Sequence, residues 1–108
     1  MEHYFFIQSE DPFTRVQVLD QFELAAALVA AGHQVSMLLV QNGVTVARKS
    51  SRAGLISGLL DNGVRLLADR FSLAQREIGA AQLIAGIEKV DLDTAIDALL
   101  NGDKVIWN

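Results

Sequence analysis

The 108-residue sequence contains no cysteine, and this absence excludes several kinds of chemistry at once. Without a thiol the chain cannot form disulfides, use a thiolate nucleophile, carry a persulfide or ligate a metal through sulfur. Proline is almost as scarce, at one residue, and no segment is dominated by serine, glycine or charge of one sign. With 51% hydrophobic residues, the composition is that of a folded globular domain and not of a disordered segment.

Basic residues and long apolar runs are also few. Nine Lys and Arg stand against 13 Asp and Glu, and the resulting net charge of −4 disfavours binding to nucleic-acid phosphates. No stretch of about 20 apolar residues could span a membrane, and the first residues lack the basic and apolar parts of a signal peptide. We therefore expect a single cytoplasmic domain over residues 1–108, with no nucleic-acid or membrane partner.

Hydrophobic periodicity predicts strands that alternate with helices. The predicted strands cover residues 3–8, 34–41, 64–68, 83–90 and 104–107. The predicted helices run from a Thr14 cap to Gly32, over 55–60, over 73–78, and from an Asp91 cap to Asn101-Gly102. This alternation predicts an α/β fold with three layers, α/β/α, around a mostly parallel five-stranded sheet, flavodoxin-like in outline.

Polar residues follow the predicted strands at the edge where such sheets usually bind ligands. Glu10 and Asp11 come after the first strand, Asn42 after the second and Asp69 after the third. Because ligands meet the carboxyl ends of parallel strands, we expect a pocket lined by these side chains.

Three segments of the sequence carry a resemblance to a known family. They are AAGHQVSMLLVQNGV (30–44), LLDNGVRLLADRFSLAQREIG (59–79) and DLDTAIDALLNGDKVIW (91–107). In this order they resemble the DsrE/DsrF-like family of sulfur-relay proteins, over almost the whole chain. The resemblance implies a small α/β subunit that assembles into trimers or hexamers. It also implies a cysteine in the loop after the third strand, which accepts sulfane sulfur as a persulfide and passes it on.

The sequence departs from the family at that cysteine. Arg76-Glu77-Ile78 resembles the Arg-Gly-Ile end of the family pattern, and this alignment places Asp69 and Ser72 where cysteines are expected. A carboxylate cannot hold a persulfide, and a serine hydroxyl is not nucleophilic without a dedicated base. We therefore expect no catalytic residue, and Asp69, Ser72 and Arg76 mark the former active loop.

The resemblance then implies an accessory role, because families of this kind also contain subunits without the active cysteine. The chain is interpreted as a DsrE-like accessory or scaffold subunit in sulfur transfer. It would form a homo-oligomer, or a hetero-oligomer with cysteine-bearing DsrE-like or sulfurtransferase proteins. No cofactor is expected, and the two histidines, His3 and His33, have no carboxylate pair at ligand spacing and predict no metal site.

Other interpretations of the acidic and serine residues stay open. Ser72 and Gln75 have the spacing of a helix capping box, which competes with a nucleophilic Ser72 assisted by His33 or Asp69. However, the turn that holds His33 precedes the second strand and should lie at the opposite end of the sheet.

The alternative function is a small-molecule or phosphate-responsive module. Glu10, Asp11 and Asp69 are similar to the magnesium-binding and phospho-accepting acids of receiver domains. That pattern also needs a lysine at the carboxyl end of the fifth strand, whereas Lys104 stands at its start.

Two groups of residues are interface candidates. The first group is basic and consists of Arg48, Lys49 and Arg52. It is either a solvated face without a function, a site that binds an anion, or a surface that pairs with acidic residues of a partner. Of the two functional roles, the contact with a partner is favoured. Phe71 beside the polar loop and Trp107 on the last strand belong to a residue class that is enriched at subunit contacts.

Overall fold

A computed structural model describes residues 2–11, 17–49 and 54–107, which form alternating strands and helices. The strands are β1 (His3–Gln8), β2 (Gln34–Leu39), β3 (Arg65–Asp69), β4 (Glu88–Val90) and β5 (Lys104–Trp107). The helices are α1 (Gln17–Ala30), α2 (Gly54–Asp61), α3 (Arg70–Gln75) and α4 (Asp93–Leu100). The predicted α/β fold is confirmed, and β1 and β5 have the predicted bounds.

All strand pairs of the five-stranded sheet are parallel, in the order β4-β3-β2-β1-β5. From β1 the chain moves one strand at a time to β4, and α4 then returns it to the other side of β1, where β5 pairs. The connections after β3 and β4 therefore pack on opposite faces of the sheet. This divergence opens a crevice at the carboxyl ends of the strands.

The two faces of the sheet are covered unequally. Phe6 and Met37 point into a large buried cluster that includes residues of α1 and α2. Leu38 and Leu67 point to the other face, into a smaller cluster with Ala98 of α4. Because alanine side chains are short, α4 lies close to the sheet and its larger apolar residues stay outside the core. None of the helices within the described ranges has the length and apolar character needed to cross a lipid bilayer.

The start of α3 differs from the prediction. The helix begins at Arg70 instead of residue 73, because Asp69 and not Ser72 is its N-cap. The capping box predicted from Ser72 and Gln75 is therefore wrong. The Thr14 cap predicted for the first helix lies outside the described residues.

The start of α4 also differs from the prediction. The residue before the helix is Leu92, which offers no side-chain cap, so the predicted Asp91 cap is wrong. The Asp91 carboxylate instead lies 3.4 Å from the guanidinium of Arg70, at the surface. The predicted end of the helix is confirmed, since Asn101 is the C-cap and Gly102 has a left-handed φ of 78°.

Two strands are shorter than predicted. β2 ends at Leu39, and a 3₁₀ helix, Gln41–Ala47, begins at the last residue of the predicted strand. β4 keeps only the last part of the predicted strand 83–90, because Gly86 adopts a left-handed φ of 99° and turns the chain.

The short strand β4 is attached to its neighbour by an ion pair as well as by the sheet. Arg65 donates two hydrogen bonds to Glu88, Nε to Oε1 at 3.2 Å and Nη2 to Oε2 at 3.1 Å. The hydrogen bonding from Arg65 lowers the pKa of the Glu88 carboxyl below its usual value. Both side chains are largely exposed, so water screens the pair and its stabilising effect is small.

Gly43 is the point at which the 3₁₀ helix crosses the end of β1. Its N–H donates to the carbonyl oxygens of Val40 at 2.8 Å and Ser9 at 3.2 Å. A Cβ atom at this position would collide with the backbone carbonyl of Gln8, which cannot move without disturbing β1. Only glycine fits this crossing.

We predict that Gly43→Ala lowers the free energy of unfolding by about 1–3 kcal/mol, the usual cost of forcing atoms into a filled site. Gly58→Ala is the matched control, because Gly58 lies within α2 and its added methyl group would meet no atom within 4 Å. This control should raise the free energy of unfolding by about 0.5–1 kcal/mol. Urea denaturation measures both values, and equal effects would contradict the close approach.

Candidate functional site

A cavity of about 340 Å³ lies at the carboxyl ends of the strands, in the crevice between the diverging connections. We call it the strand-end pocket. The described residues that line it are Ile7, Leu38, Val40, Gln41, Asp69, Phe71, Ser72, Gln75, Leu92, Ala95 and Trp107. Its walls are mainly apolar, and its polar groups come from the end of β3, from α3 and from the start of the 3₁₀ helix.

Asp69 and Ser72 form a hydrogen-bonded pair in the wall of this pocket. Asp69 Oδ2 accepts the backbone N–H of Ser72 at 2.9 Å and its hydroxyl at 2.6 Å. Both residues are only 3% exposed. The carboxylate therefore satisfies an amide that the start of α3 would otherwise leave unpaired, and it fixes the hydroxyl in one orientation.

Gln41 connects this pair to the 3₁₀ helix. Its backbone N–H donates to Ser72 Oγ at 2.8 Å, so the hydroxyl accepts one hydrogen bond while it donates another. Gln41 has φ 51°, a left-handed conformation that is uncommon for residues other than glycine. Gln41 was not predicted as a site residue, because a buried hydroxyl partner leaves no pattern in the sequence.

Arg76 joins the predicted loop residues to Asn42. Its Nη2 donates to Asn42 Oδ1 at 2.9 Å, and its Nη1 donates to the carbonyl oxygen of Ser72 at 3.3 Å. Arg48 Nη2 donates in turn to the carbonyl oxygen of Arg76 at 3.3 Å. The structure thus brings Asn42, Asp69, Ser72 and Arg76 into one connected hydrogen-bonded group.

The positions of Glu10 and Asp11 bear on the receiver-like alternative. Neither residue lines the strand-end pocket, whereas Asp69 does. Within the described ranges, no three His, Asp or Glu side chains lie close enough to hold a metal ion. Lys104 begins β5, opposite Tyr4, and so stands at the far end of that strand from the pocket. The magnesium-dependent alternative therefore gains no support from the described geometry.

A nucleophilic role for Ser72 gains no support either. The structure places His33 just before β2, and it lines a separate cavity with His3 at the amino ends of the strands. No histidine is among the described residues that line the strand-end pocket. The hydroxyl of Ser72 donates its proton to a carboxylate that is already engaged as a helix cap. The arrangement of nucleophile, base and orienting acid that acyl transfer needs is not formed around Ser72 by the described residues.

The interface candidates divide between two places. Phe71 and Trp107 both line the strand-end pocket and are 67% and 71% exposed. Lys49 is exposed and contributes a backbone hydrogen bond to the carbonyl oxygen of Gln82 at 2.7 Å, while Arg48 approaches Arg76 as described above. Arg52 lies outside the described residues.

An exposed apolar surface next to the pocket was not predicted from the sequence. It consists of four residues of α4 and its preceding turn that are more than half exposed, which we call the α4 stripe: Leu92, Ile96, Leu99 and Leu100. Their spacing of three or four residues gave a signal for an amphipathic helix. That signal could not tell which face meets the sheet, because the helix also carries the alanines that pack on it.

Similar sequences and structures extend over the length of the chain. The sequence profile of the DsrE/DsrF-like family matches residues 2–107. A protein of unknown function from Methanobacterium thermoautotrophicum, MTH1491, is 23% identical with a TM-score of 0.86, and the match covers 100% of both chains. The ychN protein from E. coli is 19% identical with a TM-score of 0.87, again over 100% of both chains.

A third solved structure agrees with these two. BT1422, a conserved protein of unknown function from Bacteroides thetaiotaomicron, is 17% identical with a TM-score of 0.82, over 99% of this chain and 95% of that one. At such identities the solved structures show the fold alone. No curated protein matches the chain.

We predict that Asp69→Ala lowers the free energy of unfolding by about 2 kcal/mol, through loss of the N-cap and of the acceptor for a buried hydroxyl. Asp69→Asn should cost less than half as much, because its amide oxygen still accepts the N–H of Ser72 and asparagine is a good cap. Urea denaturation monitored by circular dichroism measures both.

Asp91→Ala is the control for this pair of variants, since Asp91 makes a surface ion pair and its side chain is 72% exposed. Its cost should stay within about 0.5 kcal/mol. If Asp69→Ala is no more harmful than Asp91→Ala, the cap does not hold α3 in place.

Proposed function

Because the chain belongs to the DsrE/DsrF-like family, we propose that it is a non-catalytic oligomeric subunit, an accessory or scaffold protein in sulfur transfer. One observation carries this proposal. The loop after β3, where the resemblance to the family implies a persulfide-carrying cysteine, holds the mutually hydrogen-bonded Asp69 and Ser72. The two side chains at the expected cysteine positions therefore stabilise the start of α3.

The chemistry of the two side chains supports the non-catalytic part of the proposal. Sulfane sulfur is transferred through a thiolate, and the 108 residues contain no cysteine to provide one. The Asp69 carboxylate cannot form a persulfide, and its oxygen instead caps α3. A cysteine in place of Ser72 would have this carboxylate beside its sulfur, and a neighbouring negative charge disfavours the thiolate. The Asp69 carboxylate, which accepts both hydrogen bonds from Ser72, thus determines the conformation of this loop.

The α4 stripe supports the oligomeric part of the proposal. A helix on the surface of a soluble domain normally turns its large apolar side chains towards the core. Here alanines face the sheet, while Leu92, Ile96 and Leu100 are 52%, 56% and 79% exposed. Phe71 and Trp107 continue the apolar surface at the pocket mouth. Contiguous apolar patches of this kind are typical of subunit contacts.

A second copy of the chain or a cysteine-bearing relative is the occupant that fits this surface. Members of one fold family share the α4 position, so like subunits and related subunits can use the same contact. A homo-oligomer would bury the stripe permanently, and a hetero-oligomer would bring a cysteine-bearing loop close to the strand-end pocket. Cytoplasmic location follows from the same proposal, since its partners handle reactive sulfur under reducing conditions.

We predict that Ile96→Lys converts the assembly to monomers, because a charged side chain in the centre of an apolar contact must be desolvated without a partner. Native mass spectrometry and sedimentation velocity measure the assembly directly. Leu24→Lys is the matched control: Leu24 is an exposed leucine of α1, on the opposite face of the sheet, and is 41% exposed. Wild-type protein that is monomeric at micromolar concentration, or an assembly insensitive to Ile96→Lys, would contradict the proposed contact.

The sulfur-transfer role needs its own experiment. The chain is mixed with a cysteine-bearing DsrE-like protein from the same cell and a sulfane-sulfur donor, and native and intact masses are recorded. We expect a joint complex in which added sulfur is found on the partner alone, and Ile96→Lys should abolish the complex. If the two proteins do not associate, and the chain leaves sulfur loading of the partner unchanged, the sulfur-transfer role is wrong.

The phosphate-responsive alternative is not favoured by the strand-end pocket. No Lys, Arg or His is among the described residues that line it, and Asp69 would repel an anion. The alternative therefore reduces to the binding of a small molecule that is not an anion.

A further inference from the structure

The strand-end pocket has a simple electrostatic character. Most of the described residues that line it are apolar or aromatic, and its remaining polar residues, Gln41, Ser72 and Gln75, are neutral. Asp69 is the one charged residue among them. A cavity with apolar walls and a single negative group selects ligands by that group, because apolar walls lower the local dielectric and strengthen its field.

The hydrogen bonds of Asp69 leave one of its oxygens available. Oδ2 accepts both bonds from Ser72, at 2.9 Å from the backbone N–H and 2.6 Å from the hydroxyl. Both of these bonds end on Oδ2, so they leave Oδ1 for a further donor. Asp69 lines the pocket and a carboxylate is a strong acceptor, so Oδ1 can receive a donor that enters the cavity.

The mouth of the pocket adds a second preference. Phe71 and Trp107 are exposed aromatic residues on two sides of the lining, and Leu92 extends the apolar surface between helix and sheet. Aromatic faces attract flat apolar groups and also attract cations. The carboxylate in the wall and the aromatic residues at the mouth therefore both favour a cation that carries an apolar group.

We infer that the strand-end pocket binds a hydrophobic amine, with its ammonium group against Asp69 Oδ1 and its apolar body between Phe71, Leu92 and Trp107. The charge of Asp69 attracts the ammonium, and the apolar walls exclude the water that would compete for it. A carboxylate or phosphate of the same shape is repelled. This inference concerns the pocket of each subunit and does not rest on the proposed role in sulfur transfer.

Three small molecules of similar shape test the inference: phenethylamine, phenethyl alcohol and phenylacetate. The chain has a single tryptophan, so the indole N–H of Trp107 gives one assigned signal in a proton–nitrogen correlation spectrum. We expect phenethylamine to shift this signal and to bind about tenfold more tightly than the alcohol, because the alcohol can donate to the carboxylate but carries no charge. Phenylacetate should bind more weakly than either.

Two variants identify the group that selects the amine. Asp69→Asn keeps the shape and the helix cap and should bring the affinity for phenethylamine down to that for the alcohol. Asp91→Asn removes an equal charge from a nearby exposed position outside the pocket and should leave the tenfold preference unchanged. Each titration is repeated in the Ile96→Lys background, so that burial of the pocket between subunits is distinguished from a lack of affinity.

The inference is overturned by any of three results. The first is an alcohol or carboxylate that binds as well as the amine. The second is an amine preference that survives Asp69→Asn. The third is an unchanged Trp107 signal with every probe in both the wild-type and the Ile96→Lys protein. If Asp69→Asn does not fold, the ranking of the three probes on the wild-type chain still decides. The oligomeric state, measured separately by native mass, does not enter this decision.

Discussion

The hydrogen bonds to Asp69 Oδ2 are the interaction on which the pocket depends. One oxygen atom holds a free amide of α3 and the Ser72 hydroxyl, and that hydroxyl receives the backbone N–H of Gln41. The end of β3, the start of α3 and the start of the 3₁₀ helix are therefore fixed relative to one another by a single buried acceptor. Because burial strengthens these bonds and raises the cost of breaking any of them, the pocket wall has one arrangement.

The same interaction bears on the proposal that this family member works without the reactive cysteine of a sulfur relay. A parallel sheet presents its carboxyl ends to a common crevice whatever residues stand there, so the geometry of the site belongs to the fold. The chemistry belongs to the side chains. In this chain a carboxylate and a hydroxyl in that crevice are engaged with each other and with backbone amides. In our proposal this crevice holds structure and, as we infer, an apolar cation.

Much of the fold could be predicted from local patterns in the sequence. β1 and β5 are short apolar runs between clear breakers, and the glycine after α4 marks the end of that helix. The start of α3 could not be predicted, because Asp69 and Ser72 are both good cap residues three positions apart. Only packing decides between them: burial of the carboxylate beside the free amides favours Asp69.

The parts of the site that were missed depend on contacts between distant segments. The bond from Gln41 to Ser72 joins residues 31 positions apart and leaves no periodic signal. The α4 stripe did leave a signal, but periodicity cannot say which of two apolar faces of a helix meets the sheet. The rule that the carboxyl ends of parallel strands share one edge predicted that Asp69 and Asn42 lie at the same pocket. It could not predict that Arg76 connects Asn42 to the loop that holds Asp69.

The return of the chain through α4 to the edge of the sheet has a consequence for how the surfaces of this protein behave together. β5 pairs with β1 alone, and the segment that contains α4 and β5 supplies both the stripe and the Trp107 wall of the pocket. A segment that is attached to a sheet along one edge strand is of the kind that opens locally as one unit. If the stripe forms the proposed subunit contact and the pocket takes the inferred ligand, both act on the same docked segment, and each then strengthens the other by an equal free energy.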